Sequence, residues 1–185
     1  TRPRPSSTRS WLPDQFVVSD DVGYGRVAAL VPAAGRGERL GPGAPKAIRE
    51  IAGTPMLVYA AKAPAASPVV DVVGVAAPSD YREDVGSLLQ PQEFSAEVFV
   101  VAGGESRSES VARALIALPD EVDVVLVHDA ARPLVPPEVI TNVVAAVRDG
   151  HAAVVPVVPL VDTIRTVSGD ASLGATVSRD SYACV

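Results

Sequence analysis

The segment PAAGRGERLGPGAPK, residues 32–46, sets Gly35, Gly37, Gly41 and Gly43 beside the cations Arg36, Arg39 and Lys46. Glycines let a backbone come close to a ligand and turn successive N–H groups toward it, and nearby cations neutralise several anionic oxygens, so the composition suits a phosphate chain. Two known patterns are excluded. Leu40 stands where a dinucleotide fingerprint has its third glycine, and Lys46 follows Pro45 where a Walker loop needs glycine. A generic nucleotide loop and a surface turn with solvated arginines both remain open, and Lys46, one of only two lysines in the chain, favours the first.

Two further segments carry candidate chemistry. AGGESRSESV, residues 102–111, joins Gly103 and Gly104 to hydroxyls at the start of a predicted helix, an arrangement able to hold the edge of a base or a phosphate. The plainer reading makes Ser108 a helix cap and the glycines a turn. LVHDAARPLV, residues 126–135, places Asp129 where it could meet a ribose hydroxyl, a substrate hydroxyl or a hydrated Mg2+, with Arg132 available for phosphate. Alternatively, Asp129 and Arg132 form an ion pair that ties down the loop. His128 reads as a packed strand-end residue, because nothing beside it reads as a nucleophile. Glu109, Arg113 and the charges of residues 81–84 read as exposed helix faces. Arg179, near Asp162 and Thr163, reads on its own as one more solvated charge.

The chain that must position these residues has 185 residues, suited to one domain, and it is 48% hydrophobic but only 4% aromatic, so its core must be aliphatic. The net charge of -6 disfavours general binding to nucleic acid or anionic membranes, so an anionic ligand must find a local basic cluster. Cys184 alone excludes a disulfide framework, and with two histidines a histidine-rich zinc site is also disfavoured. No run approaches the roughly 20 apolar residues of a membrane span, and the opening TRPRPSSTRSWLPD lacks a signal-peptide core, so a cytoplasmic location is expected. The chain begins with Thr1, which suggests a portion of something longer.

Residues 1–25, rich in Pro, Ser and Arg, are expected to be a flexible leader to a domain over 26–185. Apolar runs at Val27–Val31, Val69–Ala76, Val98–Val101, Val122–Val127 and Ala152–Val158, the second and fourth interrupted by Asp71 and Asp123, predict strands buried on both faces. Between them, Pro55–Ala65, Asp80–Leu89, Ser108–Leu118 and Pro137–Arg148 have helical spacing, with Ser79 as a candidate cap and Pro137 in a first turn. The alternation predicts a three-layer α/β/α sandwich with a mostly parallel, Rossmann-like sheet, whose ligand site lies at the carboxyl ends of its strands. After the fifth run, alternating residues flank the turn-rich SGDASLG, which predicts a protruding β-arm over about 159–180 or else an irregular surface loop.

In this order and spacing, the three segments resemble the 2-C-methyl-D-erythritol 4-phosphate cytidylyltransferases of non-mevalonate isoprenoid biosynthesis, from about Val27 onward. The resemblance implies transfer of a cytidylyl group from CTP to methylerythritol phosphate, with Mg2+ accompanying the triphosphate and a homodimer built through the arm. It implies that Arg39 and Lys46 stabilise charge at the α-phosphate and that Ala33, Ala34, Gly35 and Gly37 line the nucleotide. Gly104, Glu105 and Ser110 would meet cytosine. Asp129, Ala130 and Arg132 would lie near ribose, metal and acceptor, and Thr163 and Arg179 would bind the acceptor phosphate. Glu105 stands where the family often has aspartate. The family continues with a Gln-Thr-Pro-Gln segment, a further helix and a substrate-positioning lysine, and the sequence stops at Val185 before them. Another sugar-phosphate, polyol-phosphate or molybdopterin nucleotidyltransferase, or a non-catalytic nucleotide-binding module, are the competing readings.

Overall fold

The computed structural model describes residues 25–35 and 44–185. In chain order it contains β1 (Arg26–Pro32), a short hairpin of β2 (Glu50–Ile51) and β3 (Thr54–Pro55), α1 (Met56–Ala65), β4 (Val72–Ala77), α2 (Arg82–Leu89), β5 (Glu97–Ala102), α3 (Arg107–Ile116), β6 (Val122–Val127), α4 (Pro137–Arg148), β7 (Val158–Pro159), β8 (Ile164–Val167), β9 (Leu173–Val177) and β10 (Ala183–Cys184). The central sheet has the order β5-β4-β1-β6 and is parallel throughout. Parallel pairing carries the loops after β1, β5 and β6 to one edge.

β1 is legible because it is apolar on both faces, and Val27 through Val31 are fully buried. Val27, Ala29 and Val31 pack in the same core as Leu57 and Ala61 of α1, Val85 of α2 and Ile140 and Val144 of α4. Leu30 turns the other way and clusters with Ala76 and with Ala114 of α3. Helices therefore cover both faces, giving the expected three layers. Each fully buried valine or leucine contributes about 1.5–3 kcal/mol to this arrangement.

The ends of elements differ from the sequence expectation in instructive ways. Ser106, not Ser108, caps α3: its backbone is extended and its Oγ accepts the Glu109 N–H at 3.1 Å. Ser108 already lies inside the helix. Ser79 does not cap α2 with its side chain; it opens a 3-10 turn, Ser79–Tyr81, after the extended Pro78. Pro137 does take the first position of α4, where its missing N–H leaves no intrahelical bond unmade. β4 starts at Val72, later than Val69, because Val70 packs into the core from the preceding turn and Asp71 accepts the Val27 N–H at 2.8 Å.

The expected fifth sheet strand, Ala152–Val158, is a correction. Only its last residue enters a strand: β7 pairs antiparallel with β10, apart from the central sheet, and β6 is the sheet edge among the described residues. Pro156 and Pro159 lack the N–H that a ladder requires, and Val155, Val157 and Val158 are all exposed. The segment after it resolves into the hairpin, β8 against β9. At its tip the Asp170 carboxylate accepts from both the Ser168 and Ser172 hydroxyls and from the Ser172 N–H, bonds that hold its pKa at about 2. The expected leader lies outside the described residues except for Gly25, whose N–H donates to Asp123 Oδ2 at 3.0 Å. Among the described residues, no helix is long and apolar enough to cross a membrane.

Candidate functional site

At the carboxyl edge of the sheet the three loops enclose an open cleft of about 280 Å³. The loop after β1 supplies Ala33, Ala34 and Gly35, with Lys46 entering from a 3-10 turn at Lys46–Ile48. The loop after β5 supplies Gly104, Glu105, Ser106 and Arg107, with Ser110 from the first turns of α3. The loop after β6 supplies Asp129, Ala130 and Ala131. Nine residues singled out in the sequence thus share one space. Arg36, Gly37 and Arg39 lie outside the described residues.

The loop after β5 is held mainly by its own helix. Ser110 is buried; its Oγ accepts the Gly104 N–H at 3.1 Å and donates to the Ser106 carbonyl at 2.9 Å. Glu109 Oε2 accepts the Glu105 N–H at 2.9 Å, and Arg113 donates to the Gly103 carbonyl at 2.7 Å and to Glu109 at 2.5 Å. The Glu105 N–H, and then Arg113, draw the Glu109 pKa below the ordinary carboxylate range. Glu109 and Arg113 are therefore not simply a solvated helix face, as their spacing suggests; each also binds the loop. The close approach explains the glycines. A Cβ on Gly103 would stand 2.4 Å from the Ala34 Cβ, and one on Gly104 would stand 2.3 Å from Glu109 Cδ. Gly103 is where the loops after β1 and β5 touch.

Asp129 has a partner that the sequence reading did not assign. Arg107 places Nε and Nη2 on Asp129 Oδ1 at 3.0 and 2.7 Å, whereas the expected partner Arg132 stands 3.7 Å from Oδ2. The Arg132 guanidinium also donates to the Val185 carbonyl at 3.0 Å. Sequence spacing favours Arg132, three residues away, because contact with Arg107 requires knowing that α3 packs back across β4 and β1.

His128 is partly buried at the end of β6, and among the described residues its Nε2 has no hydrogen-bond partner. Burial disfavours the imidazolium and lowers its pKa below the ordinary 6.5, against the attraction of Asp129. The sign of the consequence is fixed: as pH falls, the unfolded chain takes up this proton first. Stability from the neutral imidazole is present above about pH 6.5 and declines below it. Between pH 7.5 and 5.5 we expect the wild-type melting temperature to fall more than that of His128→Gln, and parallel curves would show that His128 does not contribute.

Thr163 and Arg179 are not in the cleft. Arg179 donates to the Val161 carbonyl and lines a second depression with Leu160 and Tyr182 near the base of the hairpin. Thr163 is exposed at the entry to β8. Among the described residues, no group of three His, Cys, Asp or Glu side chains could hold a metal ion. A protein cage for a metal is therefore not built from these residues. A cation held chiefly by ligand phosphates still fits, because among the described residues Asp129 Oδ2 has only the long contact to Arg132.

The 2-C-methyl-D-erythritol 4-phosphate cytidylyltransferase family matches residues 27–185. The protein of that name from Frankia casuarinae is 52% identical over 160 residues, covering 86% of this chain and 58% of the relative. Its counterpart from Streptomyces avermitilis is 56% identical over 144 residues, covering 77% of this chain and 58% of the relative. The chain thus spans about three fifths of the length of these relatives. In fold, it is similar to 4-diphosphocytidyl-2C-methyl-D-erythritol synthase from Anaerococcus prevotii, with a TM-score of 0.71 at 22% identity over 87% of this chain and 69% of that one. Motifs, fold and sequence similarity converge, and the chain belongs to the 2-C-methyl-D-erythritol 4-phosphate cytidylyltransferase family.

Proposed function

We propose that the protein transfers a cytidylyl group from CTP to 2-C-methyl-D-erythritol 4-phosphate and releases pyrophosphate. The observation that carries this reading is the meeting of the three family-like loops in one cleft, with Lys46 among its lining residues. A phosphate oxygen of the acceptor attacks the α-phosphorus in line. The new P–O bond forms as the bond to the α–β bridging oxygen breaks, and that electron pair leaves with pyrophosphate. No covalent intermediate on the protein is required, so its task is to position the reactants and to neutralise charge.

In this reading Ala33, Ala34, Gly35 and Gly37 lie along the nucleotide, and Gly104, Glu105 and Ser110 face the base. Lys46 and Arg39 meet the charge that develops at the α-phosphate. Asp129, Ala130 and Arg132 lie toward ribose and acceptor. Asp129 would offer a carboxylate to a Mg2+ bound mainly by the phosphates, and the ion's contribution would be neutralisation of their charge. Thr163 and Arg179 would bind the acceptor phosphate. Their position outside the chain's own cleft supports a homodimer in which each hairpin serves the other subunit's site.

A nucleotide panel tests the base assignment. CTP with Mg2+ should raise the melting temperature well above the effect of GTP or TTP, since a ligand that binds only the folded state at 100 times its Kd adds about 2.7 kcal/mol. A larger shift with GTP or TTP would refute the cytosine assignment.

A further inference from the structure

We infer that Glu109 and Arg113 form a positioning couple that presets the loop after β5 for a pyrimidine bearing an amino group. The inference rests on the cytidylyl reading above. Glu109 and Arg113 lie one turn apart on α3, and their charges meet at 2.5 Å. Exposed pairs of this spacing usually contribute little to a helix. This pair has a second set of contacts, because Glu109 Oε2 holds the Glu105 N–H and Arg113 Nη1 holds the Gly103 carbonyl. The couple therefore grips the chain on both sides of Gly104. The missing side chain of Gly104 is what allows Glu109 to lie against the backbone there.

The grip has a chemical consequence. In a trans peptide the N–H and the C=O point in opposite directions. Fixing the Glu105 N–H on Glu109 turns the Gly104 carbonyl away from that carboxylate, on a residue that lines the cleft. Among the described residues the only donor near the Gly104 oxygen is Ser110 Oγ at 3.5 Å, and the same hydroxyl makes a shorter bond to the Ser106 carbonyl at 2.9 Å. The Gly104 carbonyl is thus left as an acceptor. The 4-amino group of cytosine can donate to it, whereas the 4-keto oxygen of uracil repels it. Discrimination between the two bases then depends on the peptide orientation that Glu109 and Arg113 maintain, although neither side chain needs to touch the nucleotide.

The test compares CTP and UTP in steady-state turnover by the full chain and by Glu109→Ala, Arg113→Ala and the double variant. Each single variant should lower the preference for CTP over UTP about tenfold, the scale of one hydrogen bond. The change should appear as a raised KM for CTP with kcat kept within about twofold, because the reacting phosphates are not involved. The double variant should be no worse than either single one, since both act through one loop. Arg113→Lys should recover part of the preference by keeping the charge. If Glu109→Ala does not fold, Glu109→Gln keeps an acceptor but loses the charge pair, and it should show a smaller loss of preference in the same direction. An unchanged preference in folded variants of a wild type that favours CTP would overturn the couple alone. A wild type that does not favour CTP would overturn the cytidylyl reading itself.

Discussion

Replacing Lys46 with alanine lowers turnover about 10²–10³-fold, the effect of removing one preorganised donor from a developing anionic centre, and leaves CTP binding largely intact. Lys46 is half-buried and lines the cleft beside the loop after β1, on a 3-10 turn anchored by the buried Ala47. Its tether is therefore short and structured. The charge it is assigned to meet is greater in the transition state than in bound CTP, so its removal falls mainly on kcat. Ground-state binding is spread over backbone and side chains of all three loops. The check is kcat from pyrophosphate release alongside a direct CTP Kd. Unchanged turnover would mean that the loop has been misread.

Gly103→Ala carries the second large effect, and it acts through the fold. The new methyl group would lie 2.4 Å from the Ala34 Cβ and 3.1 Å from the Ala77 carbonyl oxygen. Alanine has no side-chain torsion that could relieve the contact, so one of the two cleft loops must move. Overpacking of this kind costs about 1–3 kcal/mol, and it should weaken CTP binding by separating loops that bind together. Urea unfolding measures the first consequence and a CTP titration the second. Gly35→Ala is the informative contrast, because among the described residues a Cβ there meets nothing within 4 Å. It should leave stability unchanged while weakening CTP binding, since close backbone approach to the nucleotide is what that glycine allows. If Gly103→Ala is as stable as wild type, the two loops are not coupled through this contact.

The layers of this molecule were legible because its central strands, β1 and β4, are apolar and buried on both faces, while β5 and β6 beside them are mainly aliphatic. β1 and β4 appear as runs of aliphatic and small residues, β5 and β6 as mainly aliphatic runs interrupted by Phe99 and by Asp123, and the amphipathic spacing between them gives α1 through α4. The same signal misleads at Ala152–Val158, where an equally apolar run contains Pro156 and cannot complete a ladder within the sheet. Periodicity reports burial, and backbone donors decide pairing. The cleft was legible where one loop carries its own chemistry, as with Gly35 and Lys46 or with Gly104 and Ser110. It was not legible where the chemistry depends on how elements are packed. Asp129 meets Arg107 because α3 returns across the sheet, and neither spacing nor composition contains the order β5-β4-β1-β6. Glu109 and Arg113 have the spacing of a routine surface pair. Their second contacts follow from the tight turn at Gly103 and Gly104, which brings the backbone back within reach of the helix's own side chains.

The central claim is that the cleft transfers a cytidylyl group, and pyrophosphate release from CTP tests it most directly. With Mg2+ present, release should require 2-C-methyl-D-erythritol 4-phosphate, match the formation of the cytidylylated product one for one, and fall sharply with UTP. CTP that binds without releasing pyrophosphate when both substrates and Mg2+ are supplied would contradict the account and leave a nucleotide-binding module in its place.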